Sequence, residues 1–268
     1  MEDVMVNPWS RARENLRYRY CTSNSENFVE HLRSLGVAIG ERVTIYEPRS
    51  NVIDITRPCL ITIGNDVQIT HGVVILTHGA DWHVLREVYG NPLGSADAVT
   101  IEDNVFIGMN SILLAGTVIR RNSIVAAGSV IPGKEVPANS VIGGVPARVL
   151  MSIEDYYRKR ERSQIEEAVA YANAIYGRYK RLPVREDFKE FFHLFLERDP
   201  EKFGGIPVRK QLGRHYDVFM NTTPIFASFE EFLKYCKLPP AEAEVPESEG
   251  YEAGVEAGNG SLEVSYGR

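Results

Sequence analysis

Between Ile101 and Val136 the chain repeats every six residues, and that period admits very few folds. The hexads read IEDNVF, IGMNSI, LLAGTV, IRRNSI, VAAGSV and IPGKEV. Every first position is aliphatic: Ile101, Ile107, Leu113, Ile119, Val125 and Ile131. The fifth positions are Val105, Ser111, Thr117, Ser123, Ser129 and Glu135, small or β-branched in all but the last. An amphipathic helix spaces its apolar residues by three and four, and a half-buried strand alternates them. One large and one small inward position in every six describes a solenoid instead. Three hexads make a triangular coil, aliphatic side chains stack inside, and each coil is stabilised mainly by its neighbours. The spacing predicts a mainly β fold, with a parallel β-helix over residues 37–150.

A fainter run holds Ile39, Ile45, Ile63, Ile69 and Ile75 in the same phase, with Asn51 and Arg57 breaking it, so the lower coils are expected to be irregular. The step from Ile75 to Ile101 is no multiple of six, which places a looped-out segment at 78–99. That loop carries His78, Trp82, His83 and Glu87. Ahead of the solenoid, 1–36 reads as a helical cap. Its helix over 25–36 has Ser23, Asn24 and Ser25 as rival N-caps and Gly36 as its stop. Such a cap would shield the open end of the first coil. Residues 151–240 read as an α-helical extension. Ile165, Ala168, Val169, Ala172 and Ile175 mark one helix, and an aromatic stripe of Phe188, Phe191, Phe192 and Phe195 marks a second over Arg185–Arg198. A third runs from Ser228 to Cys236, with Ser228 and Glu231 spaced as a capping box. The Ala-, Glu-, Gly- and Ser-rich stretch 241–268 is expected to be a disordered tail.

Composition excludes several function classes. The formal charge is −6 and no basic block exceeds Arg158–Arg160, which argues against a nucleic-acid surface. No segment approaches the ~20 apolar residues of a membrane span, and the first residues lack the apolar core of a signal peptide. Three widely spaced cysteines form no CxxC pair, so neither a zinc site nor a disulfide framework is expected and a reducing cytoplasm is.

Sequence elements then fall into a recognisable order. IGNDVQI opens a coil at Ile63, VVILTHGADW brings His78 to the end of a strand-like run, VTIEDNVFIGMNSILLAGTVI restarts the solenoid, and GGVPARVL closes it at Leu150. With these THxxxW, IGxN and GxPAR elements, residues 25–150 resemble the hexapeptide-repeat acyltransferases, and among them the galactoside and maltose O-acetyltransferases. The resemblance implies a left-handed parallel β-helix, a homotrimer, and acetyl-CoA as co-substrate in a groove between subunits, with no metal. It implies acetyl transfer to a hydroxyl of a saccharide or glycoside acceptor, by direct attack in a ternary complex. Position by position, His78 becomes the catalytic base. A sugar hydroxyl is a poor nucleophile until its proton is accepted, and an imidazole titrating near ~6.5 suits that task. Glu87 is a candidate to orient the ring, and backbone N–H groups around Gly108 are candidates for the oxyanion. Asn51, Asp54, Arg57, Trp82, His83 and Phe106 are candidate acceptor contacts, Asp54 alternatively pairing with Arg57. Gly108 and Ala127 (with Gly128) offer close approach to a pantetheine chain, and Lys134 and Arg148 offer cations for phosphates. The family often shows a Thr-Lys pair where this chain reads Pro132-Gly133-Lys134. His71, inside a regular coil, reads as solvent-facing. Two other readings stand beside the transferase. One is a metal hydratase resembling the γ-class carbonic anhydrases, which needs three converging histidines; the other is an inactive assembly scaffold.

Overall fold

A computed structural model describes residues 19–238. The chain divides into two compact units, 1–162 and 163–268. The expected tail, 241–268, and the first part of the expected cap lie outside the described residues.

The first unit is a three-faced parallel β-helix. One face stacks Ala38–Ile39, Ile61–Ile63, Val99–Ile101, Val118–Ile119 and Glu135–Val136. A second stacks Thr44–Ile45, Gln68–Ile69, Val105–Ile107, Ser123–Val125 and Ser140–Gly144, and a third Val52–Ile53, Val74–Ile75, Ile112–Leu113 and Val130–Ile131. Ile101 pairs with Ile119, Ile107 with Val125 and Leu113 with Ile131, three hexads apart in each case. These side chains are fully buried, as are Ile45, Ile69 and Ile75 below them. Each contributes about 1.5–3 kcal/mol of burial, so the stack is the stability of the unit. The small inward position has a second use. The hydroxyls of Ser111, Thr117 and Ser140 donate to the carbonyls three residues earlier, at 2.6–2.7 Å, and so satisfy the corners of the coil. Asp66, Asn104, Asn122 and Asn139 turn one corner at φ 55–57°, a left-handed conformation that Asn and Asp tolerate best. Asn104, Asn122 and Asn139 also bond side chain to side chain up that corner, at 2.9 and 2.8 Å.

Departures from the six-residue phase have local causes. In the lower coils, short turns at Pro48–Ser50 and Pro58–Leu60 add residues. Ile53, not Asn51, therefore takes the large inward place and pairs with Ile75. In the last coil the step from Ile131 is one residue short. Val136 pairs with Ile119 and is buried, while Glu135 turns outward and its carboxylate accepts from Arg120 at 2.9 Å. The exit is an antiparallel hairpin, Ser140–Gly144 against Ala147–Ser152, where the sequence indicated only turns.

Helix α1 (Ser25–Leu35) closes the lower end. Asn24 is its N-cap and accepts from the Asn27 N–H at 2.8 Å, while the Ser23 hydroxyl donates to the Tyr20 carbonyl. Phe28, Val29 and Leu32 join the aliphatic core, and the Ser25 hydroxyl accepts from the Ile45 N–H, a strand-edge donor that would otherwise lack a partner. The segment after His78 is also structured: His78–Gly79 pairs antiparallel with Ser95–Ala96, and α2 (Trp82–Tyr89) lies between them.

Helix α3 (Ile153–Tyr179) begins in the first unit, and its part in the second turns Ala168, Ala172 and Ile175 into an aromatic core. The helix expected over Arg185–Arg198 does not form; the segment makes tight turns at Arg185–Phe188 and Phe192–Leu194. Leu194, Phe195 and Leu196 are all buried, and three consecutive buried side chains cannot share one helix face. They wrap instead around Phe188, whose ring lies 5.3–5.9 Å from those of Phe195, Phe229 and Phe232. Two short helices, α4 (Val208–Leu212) and α5 (Tyr216–Met220), precede α6 (Phe229–Tyr235). Ser228 caps α6 as expected, accepting from the Glu231 N–H at 3.1 Å.

Candidate active site

The looped-out segment leaves the solenoid directly after the strand Val74–Ile75, so Thr77 and His78 stand at the corner between the third and first faces. One coil below, the irregular turn after Ile53 brings Asp54 to the same corner. His78 Nδ1 lies 2.6 Å from Asp54 Oδ2, with the carboxylate side chain 3% exposed and the imidazole 30% exposed. Asp54 is saturated with donors: Oδ2 also takes the Thr77 N–H (3.2 Å) and hydroxyl (2.5 Å), and Oδ1 takes the Thr56 N–H (3.1 Å) and hydroxyl (2.6 Å). Burial pushes the carboxyl upward, but the bonds from Thr56, Thr77 and His78 outweigh it and hold Asp54 well below the usual carboxylate range. An ionised carboxylate can only accept, so Nδ1 carries the ring proton and the Nε2 lone pair points away from Asp54.

Several sequence candidates are relocated by this geometry. Asp54, expected at the acceptor or paired with Arg57, is buried and spends its oxygens on the histidine and two threonines. The Arg57 guanidinium instead donates to the Thr56 hydroxyl at 3.3 Å. Glu87 does not orient His78; it accepts from its neighbour Arg86. Asn51 is consumed by the fold: its amide donates to the Tyr46 and Glu47 carbonyls, and its oxygen accepts from the Val73 N–H. His83 is stacked on Trp82 with ring centroids 3.9 Å apart, and Arg86 lies 5.8 Å from the same indole. The half-buried indole, the exposed imidazole and the exposed cation form one platform on α2. His71 is half-buried, with Nδ1 2.8 Å from Glu47 Oε2.

The upper residues lie elsewhere on the coil. Phe106 is 38% exposed on the second face, where it lines a cleft of about 250 Å³ with Gln68 and Ile124. Gly108 is needed by the fold: a Cβ there would sit 2.5 Å from the Ala127 backbone nitrogen, and its N–H already donates to the Val125 carbonyl. It therefore offers neither open space nor a free oxyanion donor. Ala127 is exposed one coil above it. Lys134 and Arg148 converge, both donating to the Ala147 carbonyl at 2.5 and 3.2 Å. Within one chain His78 and Phe106 thus belong to different faces. Sequence reasoning missed Thr56 and Thr77 altogether; the pairing of Ile53 with Ile75 sets Asp54 beneath Leu76, from where its carboxylate reaches the Thr77 N–H and hydroxyl. Among the described residues no three His, Cys, Asp or Glu side chains are placed to hold a metal ion, and no helix is long and apolar enough to cross a membrane.

Residues 98–132 match the family described as hexapeptide repeat of succinyl-transferase. The chain is 37% identical to Protein CapG of Staphylococcus aureus over 161 residues, which is 60% of this chain and 89% of that protein. It is also 37% identical to the galactoside O-acetyltransferase of Escherichia coli, over 37% of this chain and 49% of that one. Among solved structures, a hexapeptide-repeat acetyltransferase of Vibrio cholerae complexed with acetyl coenzyme A is 25% identical, with a TM-score of 0.39, over 52% of this chain and 84% of that one. The chain belongs to the hexapeptide-repeat acyltransferases, and its coil is the left-handed parallel β-helix of that family.

Proposed function

We propose that this protein transfers an acetyl group from acetyl-CoA to a hydroxyl of a saccharide, with His78 as general base. The Asp54–His78 pair carries the reading. Asp54 fixes the ring as the Nδ1–H tautomer, leaving Nε2 free to take a proton. His78 accepts the hydroxyl proton as the oxygen attacks the thioester carbonyl carbon, and Asp54 stabilises the imidazolium that forms. As the C–S bond breaks, Nε2 returns that proton to the departing sulfur, so the group is regenerated without a covalent enzyme intermediate. The stacked Trp82–His83 platform, its indole half-buried and its imidazole exposed, suits the face of a sugar ring. The names of the galactoside O-acetyltransferase and of the acetyl-CoA-bound structure support the donor and the acceptor class.

The active unit is a homotrimer. Outward side chains of the third face form an aliphatic ladder of Val52, Val74, Ile112 and Val130, unlike the mixed first face with Thr62, Thr100 and Glu135. Val84, Val88 and Leu93 of the loop are also left exposed, which a partner would cover. Three copies would let His78 of one face the Phe106 cleft, Ala127, Lys134 and Arg148 of the next. The cytoplasm, where acetyl-CoA and free thiols occur together, is the matching compartment.

The test screens saccharides and sugar nucleotides for CoA release, then compares H78A with H83A on the best acceptor. H78A should lose roughly two to four orders of magnitude in turnover with acetyl-CoA affinity kept, and H83A far less, mainly in acceptor KM. No CoA release by the parent with any acceptor, or a crippled H83A beside a mild H78A, would overturn the assignment. Light scattering should give three times 30.1 kDa.

A further inference from the structure

We propose that Thr77 is a positioning residue that sets the basicity of His78 through the oxygen they share. Asp54 Oδ2 receives three donors at once: the Thr77 N–H, the Thr77 hydroxyl and His78 Nδ1. Thr77 is fully buried, so no water competes for that hydroxyl, and among the described residues it donates to the carboxylate alone. A carboxylate oxygen has two lone pairs. Donors crowding it draw off the charge that the imidazole would otherwise feel, and a ring facing a less negative oxygen holds its second proton less tightly. Thr56 acts differently, because its N–H and hydroxyl both fall on Oδ1, the oxygen His78 does not touch. Thr77 therefore does more than hold Asp54 in place: its hydroxyl competes with the imidazole for the same carboxylate oxygen.

Charged groups on the segments that adjoin Thr77, His78 and Thr56 come from three places. Asp81 lies against Gly79 on the loop, the Asp97 N–H donates to the Thr77 carbonyl from the return strand, and Arg57 reaches Thr56 in the turn below. His83 is stacked on Trp82. None of these is hydrogen-bonded to the imidazole among the described residues, so the Thr77 hydroxyl is linked to the ring by hydrogen bonds through Asp54.

The role rests on His78 being the base only for its kinetic consequence, so the ring itself is the first readout. Full-length protein labelled with isotopic histidine is titrated by NMR, with the His78 signal assigned by its loss in H78A. Thr77→Val removes the hydroxyl and keeps the shape; it should raise the midpoint of the ring's titration by about half to one pH unit, and Thr77→Ser should restore it. Thr56→Val should move it less than half as far. Thr77→Ala deletes the same hydroxyl with a smaller side chain and replaces the valine variant if that fails to fold. A midpoint within about 0.2 unit of the parent in the hydroxyl-free variants overturns the proposal, as does an equal shift in Thr56→Val, since one unit is 1.36 kcal/mol of differential interaction. The acid limb of acetyl transfer should move upward with the NMR midpoint. If the midpoint moves and the rate profile does not, the role of Thr77 stands and the assignment of His78 as base falls.

Discussion

Asp54→Asn is the sharpest perturbation of the site, because its outcome follows from donors already in place. An asparagine can turn its amide nitrogen toward either threonine. Turned toward Thr77 it would oppose the backbone N–H of a fully buried residue, leaving that donor unsatisfied at about 1–3 kcal/mol. Turned toward Thr56, which is exposed, it lets that N–H find water. The amide therefore faces Thr56, the carbonyl keeps Thr77 and His78, and the ring tautomer is retained. Only the charge is lost. With charge centres about 4 Å apart and an effective dielectric near 20, that charge is worth about 4 kcal/mol to an imidazolium. The ring is 30% exposed, and screening by that solvent brings the useful range to about 2–4 kcal/mol. At 1.36 kcal/mol per decade, turnover should fall roughly thirty- to a thousandfold. Steady-state CoA release at saturating acetyl-CoA reads this directly, with KM for acetyl-CoA unchanged and the cooperative thermal transition preserved. An Asp54→Asn enzyme within about threefold of the parent would refute the dyad, because the lost charge alone exceeds that at any dielectric below bulk water.

Three further outcomes follow. Gly108→Ala should destabilise the β-helix by about 1–3 kcal/mol, read by urea denaturation, because its Cβ meets the backbone of the next coil at 2.5 Å and backbone cannot yield as a side-chain tip can. Cys59 should react quickly with a thiol reagent in the native protein, while Cys21 and Cys236 react only on unfolding; both are buried, and burial pushes the Cys236 thiol up to about 11. His193 should make stability fall below about pH 6.5: burial first, and the charge of Arg198 second, lower its folded value, so between that value and the ordinary one the unfolded chain binds more protons. Denaturation at pH 8 and pH 5.5 should show that loss, and His193→Gln should reduce it.

How much of this was legible beforehand differs by region. The six-residue period named the inward side chains from Ile101 to Ile131 one by one, because a regular solenoid repeats one environment and each hexad reports it independently. The place of His78 was legible for the complementary reason, standing where that phase breaks. The partner of His78 was not. Its choice depends on turns at Pro48–Ser50 and Pro58–Leu60, whose added residues shift the lower coil until Ile53 underlies Ile75 and the Asp54 carboxylate reaches Thr77 and His78. No hexad count across an irregular turn can supply that register. The second unit shows the same division: Phe188, Phe192 and Phe195 declared themselves as core by composition, but whether one helix or two tight turns carried them was decided by burial on every side. Local period determines which side chains face inward. Which side chains meet across coils is set by the lengths of the turns between them, and those lengths acquire meaning only when the strands have paired.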